Sequence, residues 1–222
     1  MAGTKTLLSW SSGKDAAWAL HVLRQMGQVE VVGLLTTTNA AFDRVAMHGV
    51  RETLLEAQAE AAGLPLWKVP LPWPCPNEAY EALMAQACAR AVSEGIEAMA
   101  FGDLFLEDVR DYRIQKLAGT GLTPLFPLWG RETGALAGEM VAGGPKAVLT
   151  CVDPRVLDAA FAGRDFDGRL LAELPSSVDP CGERGEFHTF VSDGPMFRAP
   201  IPVGRGEVVE RDGFIFADLV PA

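Results

Sequence analysis

Strand-like and helix-like stretches alternate along the first half of the chain. Short apolar or β-branched runs predict four strands, over residues 5–10, 29–37, 64–71 and 97–103. Apolar residues that recur every three or four positions predict four helices, over residues 15–26, 47–62, 77–94 and 107–118. Gly27 and Gly63 are expected to end the first two helices. This alternation is typical of parallel β–α–β units, whose sheet is covered by helices on both faces.

The pattern changes after Pro124. A helix over 131–142, a strand over 145–152 and a hairpin over 205–219 are predicted there. We therefore predict an α/β fold with a parallel-sheet, Rossmann-like domain over 1–124 and a smaller α+β domain over 125–222. Ligands of parallel sheets bind at the carboxyl ends of the strands. The loops that follow the predicted strands are 9–14, 36–46, 72–77 and 102–106.

The composition is that of an ordinary globular protein, with 49% apolar residues in a chain of 222. A net charge of −10 makes nucleic acid binding an unfavourable interpretation, because a duplex requires clustered Lys and Arg. The four cysteines form no C-x-x-C pair, so we predict free thiols in a reducing compartment. No signal peptide or membrane-spanning run is evident. These features predict a soluble, cytoplasmic protein with no membrane partner, and they are compatible with a homo-oligomer.

The stretch LLSWSSGKDAAWAL, residues 7–20, reads as a strand, a short polar loop and a helix. A Walker A loop would need glycine at Leu8 and Ser or Thr at Asp15, and both are missing. A Rossmann G-x-G-x-x-G loop is excluded because the turn contains a single glycine. The remaining pattern is S-G-G-x-D-S over residues 11–16, with Ser12 and Ala16 as its two departures.

Such a loop suits a pyrophosphate group. Small residues let main-chain N–H groups surround an anion, and the following helix adds its positive end. Ser11 and Ser12 can donate hydroxyl hydrogen bonds, and Lys14 can meet phosphate charge. Asp15 is expected either to cap the helix or to bind a magnesium ion carried by a triphosphate. The alternative is a turn and a helix cap without a ligand.

At this point the chain resembles the PP-loop family of N-type ATP pyrophosphatases. More narrowly, it is similar to the diphthine–ammonia ligase family and its bacterial relatives. Four further blocks carry the resemblance in the family's order: MHGVRETLLEAQAEAAGLPL (47–66), GDLFLEDVRDYR (102–113), PLFPLW (124–129) and DPCGERGEFHTFVSDGPMF (179–197). The last block is the most specific.

The resemblance implies a domain of the adenine-nucleotide α-hydrolase type that binds ATP, over 1–124, and a substrate-side domain over 125–222. It implies that a substrate carboxylate, on a small molecule or a peptide, attacks the α-phosphate of ATP. An acyl-adenylate and pyrophosphate form, and ammonia then displaces AMP to give an amide. Free ammonium is the implied nitrogen source because no segment resembles a glutaminase. ATP and Mg²⁺ are the implied cofactors.

The resemblance also implies site residues. The expected ATP-binding set is Ser9, Ser11, Ser12, Gly13, Lys14, Asp15, Thr36, Gly102 and Asp103, with Asp15 as the metal ligand. Gly102 and Asp103 are expected near the ribose or the α-phosphate, although Gly-Asp also favours a plain turn at a strand end. Ala16 removes a hydroxyl that the pattern places near phosphate.

Substrate binding is expected from Arg110, Tyr112 and Arg113, where two guanidinium groups three residues apart share a helix face. The alternative for these arginines is ion pairing along their own helix, with Glu107, Asp108 and Asp111.

Glu183, Glu186 and His188 lie close together in the sequence and are expected to bind the substrate or to deprotonate ammonium. Glu186 and His188 are two apart and should project from one side of an extended strand. With Lys14 and Asp15 they complete the expected catalytic set. The alternative is a charged loop, and Cys181 beside it reads as structural.

Two other functions remain open from the sequence. One is a PP-loop enzyme that modifies tRNA, which the acidic charge and the missing C-x-x-C disfavour. The other is a non-catalytic ATP or AMP sensor on the same fold, which Ala16 favours.

Overall fold

The computed structural model of the chain describes residues 3–41, 44–45 and 49–222. Sheet A is formed by six strands: β1 Thr4–Ser9, β2 Val29–Asn39, β3 Arg44–Val45, β4 Leu66–Leu71, β5 Ala98–Ala100 and β6 Thr123–Leu125. Its order is β3-β2-β1-β5-β6, and β4 also pairs with β2. All pairs are parallel except β2 with β3. The predicted parallel, Rossmann-like sheet is confirmed.

Helices connect these strands. They are α1 Lys14–Met26, α2 Glu52–Ala62, α3 Asn77–Ser93 and α4 Glu107–Leu117. Gly27 and Gly63 end α1 and α2 in the left-handed conformation, as predicted. The helix predicted from residue 47 begins only at Glu52, because Arg51 is still extended. Residues 46–48, the start of that prediction, lie outside the described residues.

The C-terminal region contains a second sheet, sheet B. Its strands are β7 Lys146–Val152, β8 Phe187–Asp193, β9 Val203–Arg211 and β10 Phe214–Pro221. They are antiparallel, in the order β8-β7-β10-β9. Helices α5 Thr133–Ala142 and α6 Gly168–Glu173 accompany them, with a single 3-10 turn at Ala159–Phe161. The predicted α+β character and the terminal hairpin are confirmed.

Helix α1 contacts β1 and β2 of sheet A and β8 of sheet B. Its first half is therefore buried nearly all round, from Ala16 through Leu20. The prediction of a single apolar face on this helix, ending at Met26, is wrong, because Met26 is 51% exposed. The first half of the helix is enclosed by the two sheets and fills the space with small residues and Trp18, whereas its last turn is exposed.

One apolar cluster joins the two sheets. It contains Trp10 and Leu20 beside sheet A together with Leu136, Phe187 and Phe190 from the C-terminal region. A second cluster, which includes Leu7, lies on the other face of sheet A under α3. The division of the chain into domains at residue 125 stays a prediction. Among the described residues, no helix combines the length and the apolar character that a membrane span needs.

Candidate functional site

A cleft of about 250 Å³ opens at the carboxyl ends of β1 and β5. Three segments that are distant in the sequence contribute to its lining, 9–16, 102–103 and 182–189, and Arg113 completes it. Of the four loops singled out from the sequence, 72–77 and the described residues of 36–46 contribute nothing to the lining. Parallel sheets place ligand sites at this edge. The structure thus brings the predicted phosphate loop together with the acidic C-terminal block.

The N-terminus of α1 faces this cleft. Gly13 is the N-cap residue, and no side chain accepts a capping hydrogen bond there. The capping role considered for Asp15 is therefore wrong, since Asp15 lies within the first turn. The N–H group of Lys14 donates to the hydroxyl of Thr189 at 3.0 Å. This leaves the N–H groups of Asp15 and Ala16 in the first turn, which can donate to an anion at the positive end of the helix.

The side chain of Lys14 is only 3% exposed. Its Nζ donates to both carboxylate oxygens of Asp15, at 3.0 and 2.8 Å, and to the carbonyl oxygen of Cys181. It also lies 5.4 Å from the ring centres of Phe166 and Phe187. Burial lowers the pKa of Lys14, but the attraction of Asp15, Cys181 and Glu183 and the hydrogen bond to Asp15 together outweigh it, and the net result is a raised pKa. Lys14 is therefore charged, and it holds Asp15 in place.

Ser12 has a left-handed backbone, with φ of 69°. Its side chain is fully buried, lies outside the cleft lining, and its hydroxyl makes no hydrogen bond with any described residue. The S-G-G-x-D-S pattern has glycine at this position, and glycine adopts such a φ without strain. The departure at Ser12 therefore affects the conformational energy of the loop.

Thr36 and Gly102 contact the backbone of the phosphate loop and of the first turn of α1. The hydroxyl of Thr36 donates to the carbonyl oxygen of Trp10 at 2.7 Å, and this buried side chain does not line the cleft. A Cβ atom at Gly102 would lie 3.0 Å from the amide nitrogen of Ala16 and from the carbonyl carbon of Asp15. Glycine at 102 thus allows the end of β5 to approach the start of α1. The predicted role of Thr36 in ATP binding stays a prediction.

Asp103 and Arg113 form an ion pair at the edge of the cleft. Nε of Arg113 lies 2.5 Å from Oδ2 of Asp103, and its Nη2 donates to Oδ1 at 3.0 Å. The guanidinium group also stacks over the ring of Phe101, 4.4 Å from its centre. Pairing of Arg113 along its own helix, the alternative considered above, is therefore not what the structure shows.

Arg110 and Tyr112 do not line the cleft. The guanidinium of Arg110 lies 4.6 Å from the ring centre of Trp129. Tyr112 lines a separate, mainly apolar groove of about 340 Å³ between α3 and α4, and Arg113 lines both the groove and the cleft. Of the three residues expected to bind the substrate from α4, one reaches the cleft. The substrate roles of the other two stay predictions.

Two buried carboxylates shape the segment 179–186. Asp179 accepts hydrogen bonds from the backbone N–H groups of Cys181 and Glu183, at 3.1 and 3.0 Å. Glu186 accepts from the N–H groups of Asp179 and Arg184, both at 3.0 Å. Glu186 precedes β8 and does not line the cleft, so the expected projection beside His188 is not observed. Its carboxylate is occupied by the loop that it orders.

Glu183 and His188 do line the cleft. The carboxylate of Glu183 accepts from the N–H group of Leu104 at 2.8 Å, and burial raises its pKa to about 7. Burial lowers the pKa of His188 to about 4, and the nearby charge of Lys14 adds to this effect. The cleft thus contains a carboxyl group that titrates near neutral pH and a neutral imidazole. Burial also raises the pKa of the Cys181 thiol to about 12, in agreement with a structural role.

Sequence analysis did not identify Asp179, Thr189 or Gln58. Gln58 lies on the buried face of α2, where its amide contacts the phosphate loop. The available signal was a polar residue three positions after Leu55 and four before Ala62, in line with apolar positions of the helix. Its partners are 46 and 133 residues away, and no local pattern reports them.

Comparison with known proteins assigns the chain to a family. The family model described as "Diphthamide synthase N-terminal domain" matches residues 4–121, and "Diphthamide synthase C-terminal domain" matches 133–216. This chain belongs to the diphthamide synthase family. It is 29% identical over 231 residues to a Bos taurus protein named diphthine–ammonia ligase, covering 94% of this chain and 86% of the relative. A Danio rerio protein of the same name is 28% identical over 237 residues, covering 94% and 90%.

A third relative with this name, from Schizosaccharomyces pombe, matches a shorter part. It is 33% identical over 100 residues, which cover 41% of this chain and 16% of the relative. The resemblance stated from the sequence is confirmed at the level of the family.

Proposed function

We propose that this chain is an ATP-dependent ligase that adenylates a substrate carboxylate and transfers ammonia to it. The observation that carries the proposal is that two elements meet in one cleft: the N-terminus of α1 and the segment with Glu183 and His188. The relatives' name, diphthine–ammonia ligase, supports the same reaction class.

The phosphates of ATP belong at the start of α1. The main-chain N–H groups of Asp15 and Ala16 lie in its first turn, where the helix dipole favours an anion. The cleft volume of about 250 Å³ is below the range of roughly 300–1,000 Å³ typical of pockets that enclose a drug-sized ligand. We therefore place the triphosphate inside the cleft and the adenosine at its mouth.

The cleft also suits a magnesium ion carried by the nucleotide. Within the described residues, no group of three or more His, Cys, Asp or Glu side chains could hold a metal ion without a ligand. Mg²⁺ in nucleotide sites usually takes one or two carboxylates and the phosphates themselves. Asp15 is the carboxylate that would hold it, and Asp103 and Glu183 are the other two carboxylates of the cleft lining. When bound, the ion neutralises phosphate charge.

The chemistry follows in two displacements. A carboxylate oxygen of the substrate bonds to the α-phosphorus while the bond to the β-phosphate oxygen breaks, which yields an acyl-adenylate and pyrophosphate. Ammonia then bonds to the acyl carbon, AMP leaves with the former bonding pair, and the nitrogen releases its extra proton to solvent. Glu183, ionised above about pH 7, is the base that takes a proton from the incoming ammonium. Neutral His188 offers a second polar contact in the same cleft.

Product analysis tests this proposal. The protein is incubated with ATP, Mg²⁺, ammonium and fractions of a cell carboxylate pool, and the nucleotide products are separated. We expect AMP and pyrophosphate, stimulated by one fraction, and loss of both in Asp15→Asn. The exposed residue Asp158, the cap of the 3-10 turn, provides the matched control Asp158→Asn. ADP as the product would contradict the proposal, and tight nucleotide binding without any product would favour the sensor.

A further inference from the structure

Gln58 is a buried amide in α2 whose hydrogen-bonding groups all point at the phosphate loop and its neighbour. The side chain is 0% exposed. Its Oε1 accepts from the indole Nε1 of Trp10 at 2.9 Å. Its Nε2 donates to the carbonyl oxygen of Ser12 at 3.0 Å and to that of Val191 at 2.7 Å. One side chain therefore connects the loop, the helix α2 and the strand β8.

The loop is held from several directions at once. The carbonyl oxygen of Ser12 accepts a second bond, from the N–H group of Val191 at 3.1 Å. The carbonyl oxygen of Trp10 accepts from Thr36, and the N–H group of Lys14 donates to Thr189. Of these contacts, only Gln58 reaches both ends of the turn, Trp10 and Ser12, and β8 as well. It is therefore the residue that fixes the shape of the turn relative to β8.

Burial of this amide has a cost that apolar residues would avoid. A buried polar group is tolerated when it is fully hydrogen-bonded, and loss of the Gln58 amide removes one hydrogen bond each from Trp10, Ser12 and Val191. The loop that it contacts also contains Ser12 in a left-handed conformation, which is strained for a residue other than glycine. Strained backbone persists where the surroundings over-determine it. The contacts of Gln58 supply that constraint at Ser12.

From these contacts we infer that Gln58 is a positioning residue for nucleotide binding. It holds the turn Trp10–Gly13 so that the first N–H groups of α1 face the cleft, and it aligns the turn with β8, which carries His188 and Thr189. The inference rests on the proposed function, since it assigns Gln58 to the phosphates of ATP. Gln58 itself touches no substrate, because it does not line the cleft.

The test uses Gln58→Met, which keeps the length of the side chain and removes all three hydrogen bonds. Trp10→Phe removes the indole donor and part of the buried ring, and it keeps the two bonds from Nε2. Leu122→Ala is the matched control: it creates a cavity in the second apolar cluster, away from the loop. Affinity for Mg²⁺ with α,β-methylene-ATP is measured by calorimetry. Exchange of the Trp10 indole proton is followed by NMR, and melting temperatures are recorded for all variants.

We expect Gln58→Met to weaken nucleotide affinity about tenfold or more. The loop would then be ordered only on binding, and the entropy cost of that ordering reduces the binding free energy. Exchange of the Trp10 indole proton should accelerate in the absence of nucleotide. Trp10→Phe should show a smaller loss of affinity. Leu122→Ala should lower the melting temperature and leave affinity unchanged.

Unchanged affinity in both Gln58→Met and Trp10→Phe would overturn the inference, as would a loss of affinity in Leu122→Ala that matches its loss of stability. If Gln58→Met fails to fold, Trp10→Phe decides the question by the same affinity measurement. If the wild-type chain itself binds no nucleotide, the proposed function fails. Unaltered indole exchange in Gln58→Met would then overturn the positioning of the loop separately.

Discussion

Glu183 is the ionisable side chain in the cleft whose protonation changes near neutral pH. Its carboxyl is ordinarily ionised well below that range, but burial raises its pKa to about 7. A base acts in its deprotonated form, so ammonia transfer should increase as the pH rises through about 7 and level off above it. In Glu183→Gln the rate should fall about a hundredfold, within the range attributed to general bases, and the inflection should vanish.

The measurement is amide formation against pH at a constant concentration of ammonium, because ammonium is the species from which Glu183 takes a proton. The pH dependence of folding stability is an independent test of the raised pKa of Glu183. The folded pKa of Glu183 lies above its usual value of 4.5, so its stabilising contribution is present below that pH and is lost as the pH rises through about 7. Glu183→Gln should therefore gain stability relative to the wild type above pH 7. An inflection that persists in Glu183→Gln would assign the titration to another group.

Ser12 gives a second prediction at the scale of one residue. Ser12→Gly relieves a left-handed serine, worth about 1–2 kcal/mol, and removes a hydroxyl without a described partner, while glycine loses about 0.5–1 kcal/mol to backbone entropy. We expect an equal or higher free energy of unfolding in chemical denaturation. Nucleotide affinity should be retained, because this hydroxyl lies outside the cleft.

Ser11→Ala is the comparison for Ser12→Gly, since Ser11 does line the cleft. It should weaken nucleotide affinity and leave stability nearly unchanged. Equal losses of nucleotide affinity in the two variants would indicate that the Ser12 hydroxyl contacts the phosphates. That result would contradict the position of this hydroxyl outside the cleft lining.

The residue scale also shows where sequence patterns lose information. The pattern placed Lys14, Asp15, Glu183 and His188 at one site, and the structure brings them into one cleft. The pattern does not predict where the side chains of Thr36 and Glu186 point. In the structure both form hydrogen bonds with backbone groups and do not line the cleft. A motif specifies residue types and spacing. The partner that a side chain selects depends on groups far away in the sequence.

At the scale of elements, the close approach of β5 to α1 yields a prediction. In Gly102→Ala, the new Cβ atom would lie 3.0 Å from backbone atoms of Asp15 and Ala16, so the start of α1 must shift. We expect a loss of about 1–3 kcal/mol in the free energy of unfolding, with weaker nucleotide binding. Denaturant titration and calorimetry measure the two effects.

Gly138 in α5 is the matched position, because nothing lies within 4 Å of a Cβ atom added there. Gly138→Ala should raise the free energy of unfolding by up to about 1 kcal/mol through helix propensity. It should leave nucleotide affinity unchanged. If Gly102→Ala were as stable as Gly138→Ala, the contact between β5 and α1 would not constrain position 102.

The elements themselves were largely predictable from periodicity. All four helices of the first half and the terminal hairpin were found, with ends within a few residues apart from the start of α2. Strands β3 and β6 were missed, since they contain two and three residues and one includes Pro124. Pieces so short carry no periodic signal. The buried face of α2 contains Leu55, Gln58 and Ala62. It is rotated about the helix axis from the face that the recurrence of apolar residues every three or four positions predicts.

At the scale of the whole molecule, the shared apolar cluster predicts how the chain unfolds. Trp10 and Leu20 pack in the same cluster as Leu136 and Phe187, so neither sheet buries its apolar residues alone. We expect a single cooperative transition in calorimetry, with equal calorimetric and van't Hoff enthalpies. A fragment of residues 1–131 should unfold at a lower temperature than the full chain. Two separated transitions would show that the regions on either side of residue 125 are independent.

The same scale explains why the cleft could not be derived from the sequence. Lys14 meets Thr189 and Cys181 across separations of 175 and 167 residues. Strand and helix patterns predict the sheets and the helices that cover them. They do not predict which segment of the C-terminal region contacts the phosphate loop beside sheet A. The resemblance to a family supplied that association, and the enclosure of α1 between two sheets provides its physical cause.

The most direct measurement is a crystal structure with Mg²⁺ and α,β-methylene-ATP, which cannot be cleaved between its α- and β-phosphates. We expect phosphate oxygens within hydrogen-bonding distance of the N–H groups of Asp15 and Ala16, with the α-phosphate facing Glu183. Binding of the nucleotide in the groove between α3 and α4, with an empty cleft at the start of α1, would contradict the proposed site.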